Sequence, residues 1–167
     1  SQRQEEDANL IKKEGIIEAL KQLLENPEGD VLAKVRELQA AWNEVGHVPF
    51  RKKEKIYRRY REVCDKLYDG LHAKADRRRM ENFKKSVGEK GGSELQRERN
   101  RLMNAYEAKR QEIQTYETNL TFLNAKSKSG NSLLGELAKK VDRLKEELAQ
   151  IAEKVQAVNE QLKAEKE

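Results

Sequence analysis

The chain has 167 residues, of which 36% are hydrophobic and 39% charged, and a mean hydropathy of −1.03. That is too polar for one compact core. Proline is scarce (2 residues) among abundant Lys, Glu, Leu, Ala and Arg, as expected where long helices each bury a narrow stripe, so an all-α chain is expected. No apolar run approaches the ~18 residues of a membrane span, and no charged-then-apolar segment resembles a signal peptide; the expectation is a cytoplasmic protein with no membrane role. The single cysteine, Cys64, cannot form an internal disulfide, which agrees with a reducing compartment. The chain begins at Ser1 without an initiator methionine, which points to a piece of a longer protein.

The net charge of +5 is unevenly spread. Residues 1–50 carry six basic and ten acidic side chains, residues 51–92 carry fifteen and seven, and residues 93–167 carry fourteen and thirteen. The positive excess therefore sits in one segment.

Along the chain, Leu10, Ile11, Ile17, Leu20, Leu23 and Leu24 recur at helical spacing. Asn26-Pro27-Glu28-Gly29-Asp30 interrupts them, because proline lacks a donor and biases its predecessor away from helix. A second helix is predicted from about Asp30 to Val45, burying Val31, Leu32, Val35, Leu38, Trp42 and Val45, with Gly46 ending it in the left-handed conformation. His47-Val48-Pro49-Phe50 leads into a long third helix whose stripe is Ile56, Tyr57, Tyr60, Val63, Cys64, Leu67 and Leu71. Three short-linked amphipathic helices predict a three-helix bundle. Beyond Leu71 only Met80 and Phe83 are large and apolar, so the third helix is expected to run out as an exposed basic extension to residue 87.

Gly88, Gly91 and Gly92 mark a glycine-rich linker over residues 88–92. Ser93 to Gln96 reads as a capping box opening the next helix. A heptad follows through Leu95, Arg99, Leu102, Tyr106, Lys109, Ile113, Tyr116, Leu120 and Leu123, two of them basic. After a polar turn at 124–131, a second runs through Leu137, Val141, Leu144, Leu148, Ile151, Val155, Val158 and Leu162 in unbroken four-three alternation. Residues 93–167 thus predict an antiparallel coiled-coil hairpin, with Leu95 near Leu162 and Leu123 near Leu133 or Leu137.

Chemistry has no visible address. Cys64 and His72 are eight apart on one helix, unsuited to joint ligation, and zinc needs three or four protein ligands. The glycines lack the Lys-Ser/Thr of a phosphate-binding loop, and GxSxG and HExxH are absent from the sequence. Neither catalysis, a cofactor, a metal nor a small-molecule substrate is expected. Trp42 and Tyr60 could stack on bases, but both fall on apolar faces and read as core, while Tyr57 sits at the core's edge.

The basic run is the candidate surface. Arg51, Lys52, Lys53, Lys55, Arg58, Arg59 and Arg61 face one local acid, Glu54, and Arg77, Arg78 and Arg79 with Lys74, Lys84 and Lys85 extend the polarity. Arg51, Lys52, Lys55, Arg58, Arg59, Arg77, Arg78 and Arg79 are the residues expected to meet a phosphate backbone of RNA or DNA. The competing reading pairs them internally with the acidic first two helices.

The string Trp42-Asn43-Glu44-Val45-Gly46-His47-Val48-Pro49, followed by a basic helix with Tyr60, Asp65 and Tyr68, resembles the bacterial helical repeat known as domain of unknown function number three hundred and forty-nine, over roughly residues 10–85. Trp42, Gly46 and Pro49 form its helix corner. The resemblance implies a helical repeat, often in several copies per chain, and carries no activity. The whole reads as a non-catalytic interaction module whose hairpin is a spacer, a protein-binding arm or a means of self-association, with RNA or DNA binding through the third helix as the alternative.

Overall fold

A computed structural model of the chain describes residues 1–126 and 131–166. It is all-α: α1 (Gln2–Glu25), α2 (Val31–Glu44), α3 (Phe50–Gly88), α4 (Gly92–Lys126) and α5 (Asn131–Lys166), with no strand among the described residues. No described helix is long and apolar enough to cross a membrane. The chain divides into two compact units, Ser1–Asp76 and Arg77–Glu167, with the boundary inside α3.

In the first unit, α1 starts well before its apolar stripe. Ser1 caps it in a capping box with Gln4, and a polar first turn needs no buried face to be helical. The α1–α2 turn uses Gly29 at φ 67, the only positive φ among the described residues, and Asp30 caps α2 by accepting from the Ala33 amide at 3.1 Å. The core draws Ile17, Leu20 and Leu23 from α1, Val35 and Trp42 from α2, Val48 from the connection, and Ile56, Tyr60, Val63, Cys64 and Leu67 from α3. Ile11 lies off this stripe at 71% exposure, because six residues of helix place it far around the barrel from Ile17.

Gly46 does not end α2 in the left-handed region as expected. The helix is capped by Val45 in an extended conformation (φ −72°, ψ 134°), and Gly46 is needed for space. The Asn9 side chain donates to the His47 carbonyl at 2.8 Å, and a Cβ on Gly46 would stand 3.0 Å from its Nδ2.

In the second unit, the end of α3 is not an exposed extension. Met80 and Val87 are buried, and Phe83 and Val87 join Leu95, Leu102 and Val158 in a cluster flanked by Ile151, Val155 and Leu162. The three apolar residues at 80, 83 and 87 are few, but their three- and four-residue spacing gives a complete short stripe. Only Glu89, Lys90 and Gly91 separate α3 from α4. The Leu95 amide donates to the Gly91 carbonyl at 3.0 Å, so α4 opens at Gly91 rather than at a Ser93 cap. Beside this corner Glu98, 9% exposed, meets Lys90 at 3.9 Å and bonds Arg101.

α4 and α5 pack side by side and antiparallel: Arg99 bonds Asn159 (2.7 Å), Lys109 bonds Glu147 (2.8 Å) and Glu117 meets Lys145 (3.5 Å). Every one of the seventeen heptad positions read from the sequence is buried or half-buried. The two basic ones keep their stems in the seam and carry their charged ends out to α5. Leu95 and Leu162 share one cluster, whereas Leu133 is exposed. Residues 127–130 of the expected turn at 124–131 lie outside the described residues.

Candidate functional site

The helix corner that starts α3 fixes the rest of the site. Trp42 is 5% exposed and stacks on Tyr60, with ring centroids 3.8 Å apart and planes 8° from parallel. The Lys13 ammonium of α1 covers the indole at 4.5 Å from its centroid. Burial, with Cys64 alongside, pushes the Tyr60 phenol up to about 12, and burial likewise raises the Cys64 thiol. These rings are therefore spent on the core. Tyr68, at the far side, donates to Gln39 at 2.7 Å. Pro49 is half-buried, and its carbonyl accepts from the Lys52 amide at 2.9 Å, closing the first turn of α3.

Arg51, Lys52, Lys55, Arg58 and Arg59 are all exposed. Arg58 meets Glu54 at 3.9 Å, with both side chains well exposed, a contact of little energetic weight. Among the described residues, Arg51, Lys52, Lys55 and Arg59 make no ion pair, with the acids of α1 and α2 or with any other. The group that α1 does bring to α3 is another cation. Lys13 is held below the usual lysine range, first by burial and then by the charge of Lys53.

Arg77, Arg78 and Arg79 are exposed in the second unit, and being consecutive they point in three directions around α3. Lys84, expected to extend the basic stripe, is engaged with Glu153 at 2.9 Å. The structure thus groups Arg51, Lys52, Lys55, Arg58 and Arg59 on the opening turns of α3 in the first unit.

Two features escaped the sequence reading. Phe50, taken as part of a connection, is the first residue of α3 and 89% exposed, and Tyr57, seven residues on, is 49% exposed. The seven-residue interval was the available signal, since it places both on one helix face. A groove of about 550 Å³ between α1 and α2 is lined by Leu23, Leu38 and Ala41 with Gln22, Glu28 and Glu37, and its one lysine, Lys34, is bound to the Glu28 carbonyl at 2.9 Å. No three His, Cys, Asp or Glu among the described residues come together as a metal site.

Residues 1–51 match the family model described as Domain of Unknown Function (DUF349). The match contains the whole Trp42–Gly46–Pro49 corner and ends where the basic run begins, so Tyr60, Asp65 and Tyr68 lie beyond it. No curated protein and no solved structure matches the chain.

Proposed function

We propose that this DUF349-containing chain is a non-catalytic helical interaction module whose first unit binds a nucleic-acid backbone through Arg51, Lys52, Lys55, Arg58 and Arg59. The observation that carries the reading is that these cations have no acidic partner from α1 or α2 among the described residues. Arg51 and Lys52 are also unfavourably placed in the unbound protein. The first turn of α3 holds no acid, and positive charges there oppose the helix dipole by a few tenths of a kcal/mol each. A polyanion relieves both costs and gains entropy from released counterions. Arg77, Arg78 and Arg79 supply further positive charge on the second unit, and α4 with α5 serves as a spacer or protein-binding arm. The cytoplasm is the compartment this reading requires.

Fluorescence anisotropy with a short RNA and a DNA duplex at low salt tests it. Reversing Arg51, Lys55, Arg58 and Arg59 to glutamate should weaken binding by at least tenfold and flatten its salt dependence. Reversing Arg77, Arg78 and Arg79 reports their charge separately. Failure of both polymers to bind, or binding that survives reversal of both sets, overturns the reading.

A further inference from the structure

We infer that the polymer is a single strand, RNA or DNA, whose bases stack on Phe50 and Tyr57 while its phosphates lie along the cations beside them. This rests on the backbone-binding reading above and adds the class of nucleic acid. The core accounts for neither ring. Phe50 is the most exposed of the large apolar residues at 89%, and Tyr57 stands half out of the surface. Single exposed apolar residues are ordinary, but here two of nine aromatic residues share one face of the segment richest in positive charge.

The geometry suits a strand. Seven residues of helix set the two rings about 10 Å apart along the axis, nearly in line. Lys53 and Arg61 fall between and beyond them at three- and four-residue intervals, and the Arg61 guanidinium donates to the Tyr57 hydroxyl at 3.4 Å. Lys13 brings a further cation from α1 to the Lys53 side. Two acids share this face: Glu54, 3.9 Å from Arg58, and Asp65, one turn beyond Arg61, whose charge acts on that guanidinium.

The Tyr57 ring is also backed from behind. Its centroid lies 6.4 Å from that of Tyr60, which is itself clamped flat against Trp42, so a row of three rings runs from the core to the surface. A ring fixed in this way loses little freedom when a base settles on it. Every base offers a π-face, so such a platform tolerates any sequence, with each stacked base worth about 5- to 150-fold in affinity. A duplex hides its base faces inside the helix and can use only the cations.

The decisive measurement is anisotropy on the full chain with a labelled 12-mer oligouridine, an abasic 12-mer of equal charge and a 12-base-pair duplex. Phe50→Ala/Tyr57→Ala should cost the oligouridine at least tenfold, while Tyr57→Phe stays within twofold of the parent and the duplex shifts by less than twofold. The abasic strand should bind the parent protein at least tenfold more weakly than oligouridine. Both side chains are exposed, so unchanged Trp42 emission and circular dichroism will show that the variants fold. Equal losses on single strand and duplex, or none on either, overturn the inference; the backbone-binding reading then stands or falls by the charge reversals alone. Binding confined to anionic phospholipid vesicles, with all three nucleic acids silent, overturns both.

Discussion

Ile17 and Ile11 lie on the same helix and differ almost only in surroundings, one at 0% exposure within the core and the other at 71%. Replacing Ile17 by Val removes one methylene from a filled site. The lost transfer energy is about 0.8 kcal/mol and the small cavity adds to it, for about 1 kcal/mol in all. The same change at Ile11 should stay within about 0.5 kcal/mol, as for surface substitutions generally. Trp42 is the only tryptophan and belongs to the same cluster as Ile17, so its emission during urea titration reports the unfolding of the first unit. With a slope of about 1–2 kcal/mol per molar urea, the Ile17→Val midpoint should fall by about 0.5–1 M and that of Ile11→Val by less than half as much. Equal shifts for the two variants would refute the assignment of the core face of α1.

The glycines give a second comparison by the same titration. Gly15→Ala and Gly70→Ala, in helix interiors with nothing within 4 Å of the new Cβ, should each stabilise by about 0.5–1 kcal/mol. Gly29→Ala, held at φ 67, should destabilise by about 1–2 kcal/mol, and Gly46→Ala by about 1 kcal/mol as it displaces Asn9 from the His47 carbonyl; a neutral Gly46→Ala would dismiss that explanation. The Tyr60 phenol, neutral in the fold to about 12, ionises near 10 in the unfolded chain. Above pH ~10 the unfolded chain binds fewer protons than the folded one, so this contribution is whole below ~10 and is lost as pH rises toward ~12. Ultraviolet titration should show a late phenolate step that Tyr60→Phe removes, and persistence of that step in the variant would assign it elsewhere.

Much of the fold is legible because helical periodicity is a direct imprint of burial. The four-three alternation from Leu137 to Leu162 identifies the inward positions of α5, and the spacing around Ile17 and Leu20 those of α1. What fails is instructive. The first eight residues of α1, 2–9, are helical by capping and composition, leaving no stripe to detect. The end of α3 is buried by three residues, which looks like solvent exposure until α4 and α5 supply a partner. A glycine just past a helix most commonly serves as a left-handed cap, whereas the reason for Gly46 lies in Asn9, 37 positions away in sequence. At the site, the cations and their order were plain from sequence. Whether acidic helices neutralise them depends on which faces meet, and no linear pattern contains that.

The polar contacts across α4 and α5 also decide where the two arms can stop. Their apolar rows repeat every three or four residues, so sliding one arm by seven would again set apolar positions opposite one another, with one heptad unpaired at each end. Lys109, now bonded to Glu147, would then face Lys140 or Lys154 depending on the direction of the slide. Either step exchanges an ion pair at the seam for two like charges, one of them with its stem in the apolar row. The apolar rows hold the arms together, and Lys109 adds a penalty against both neighbouring alignments.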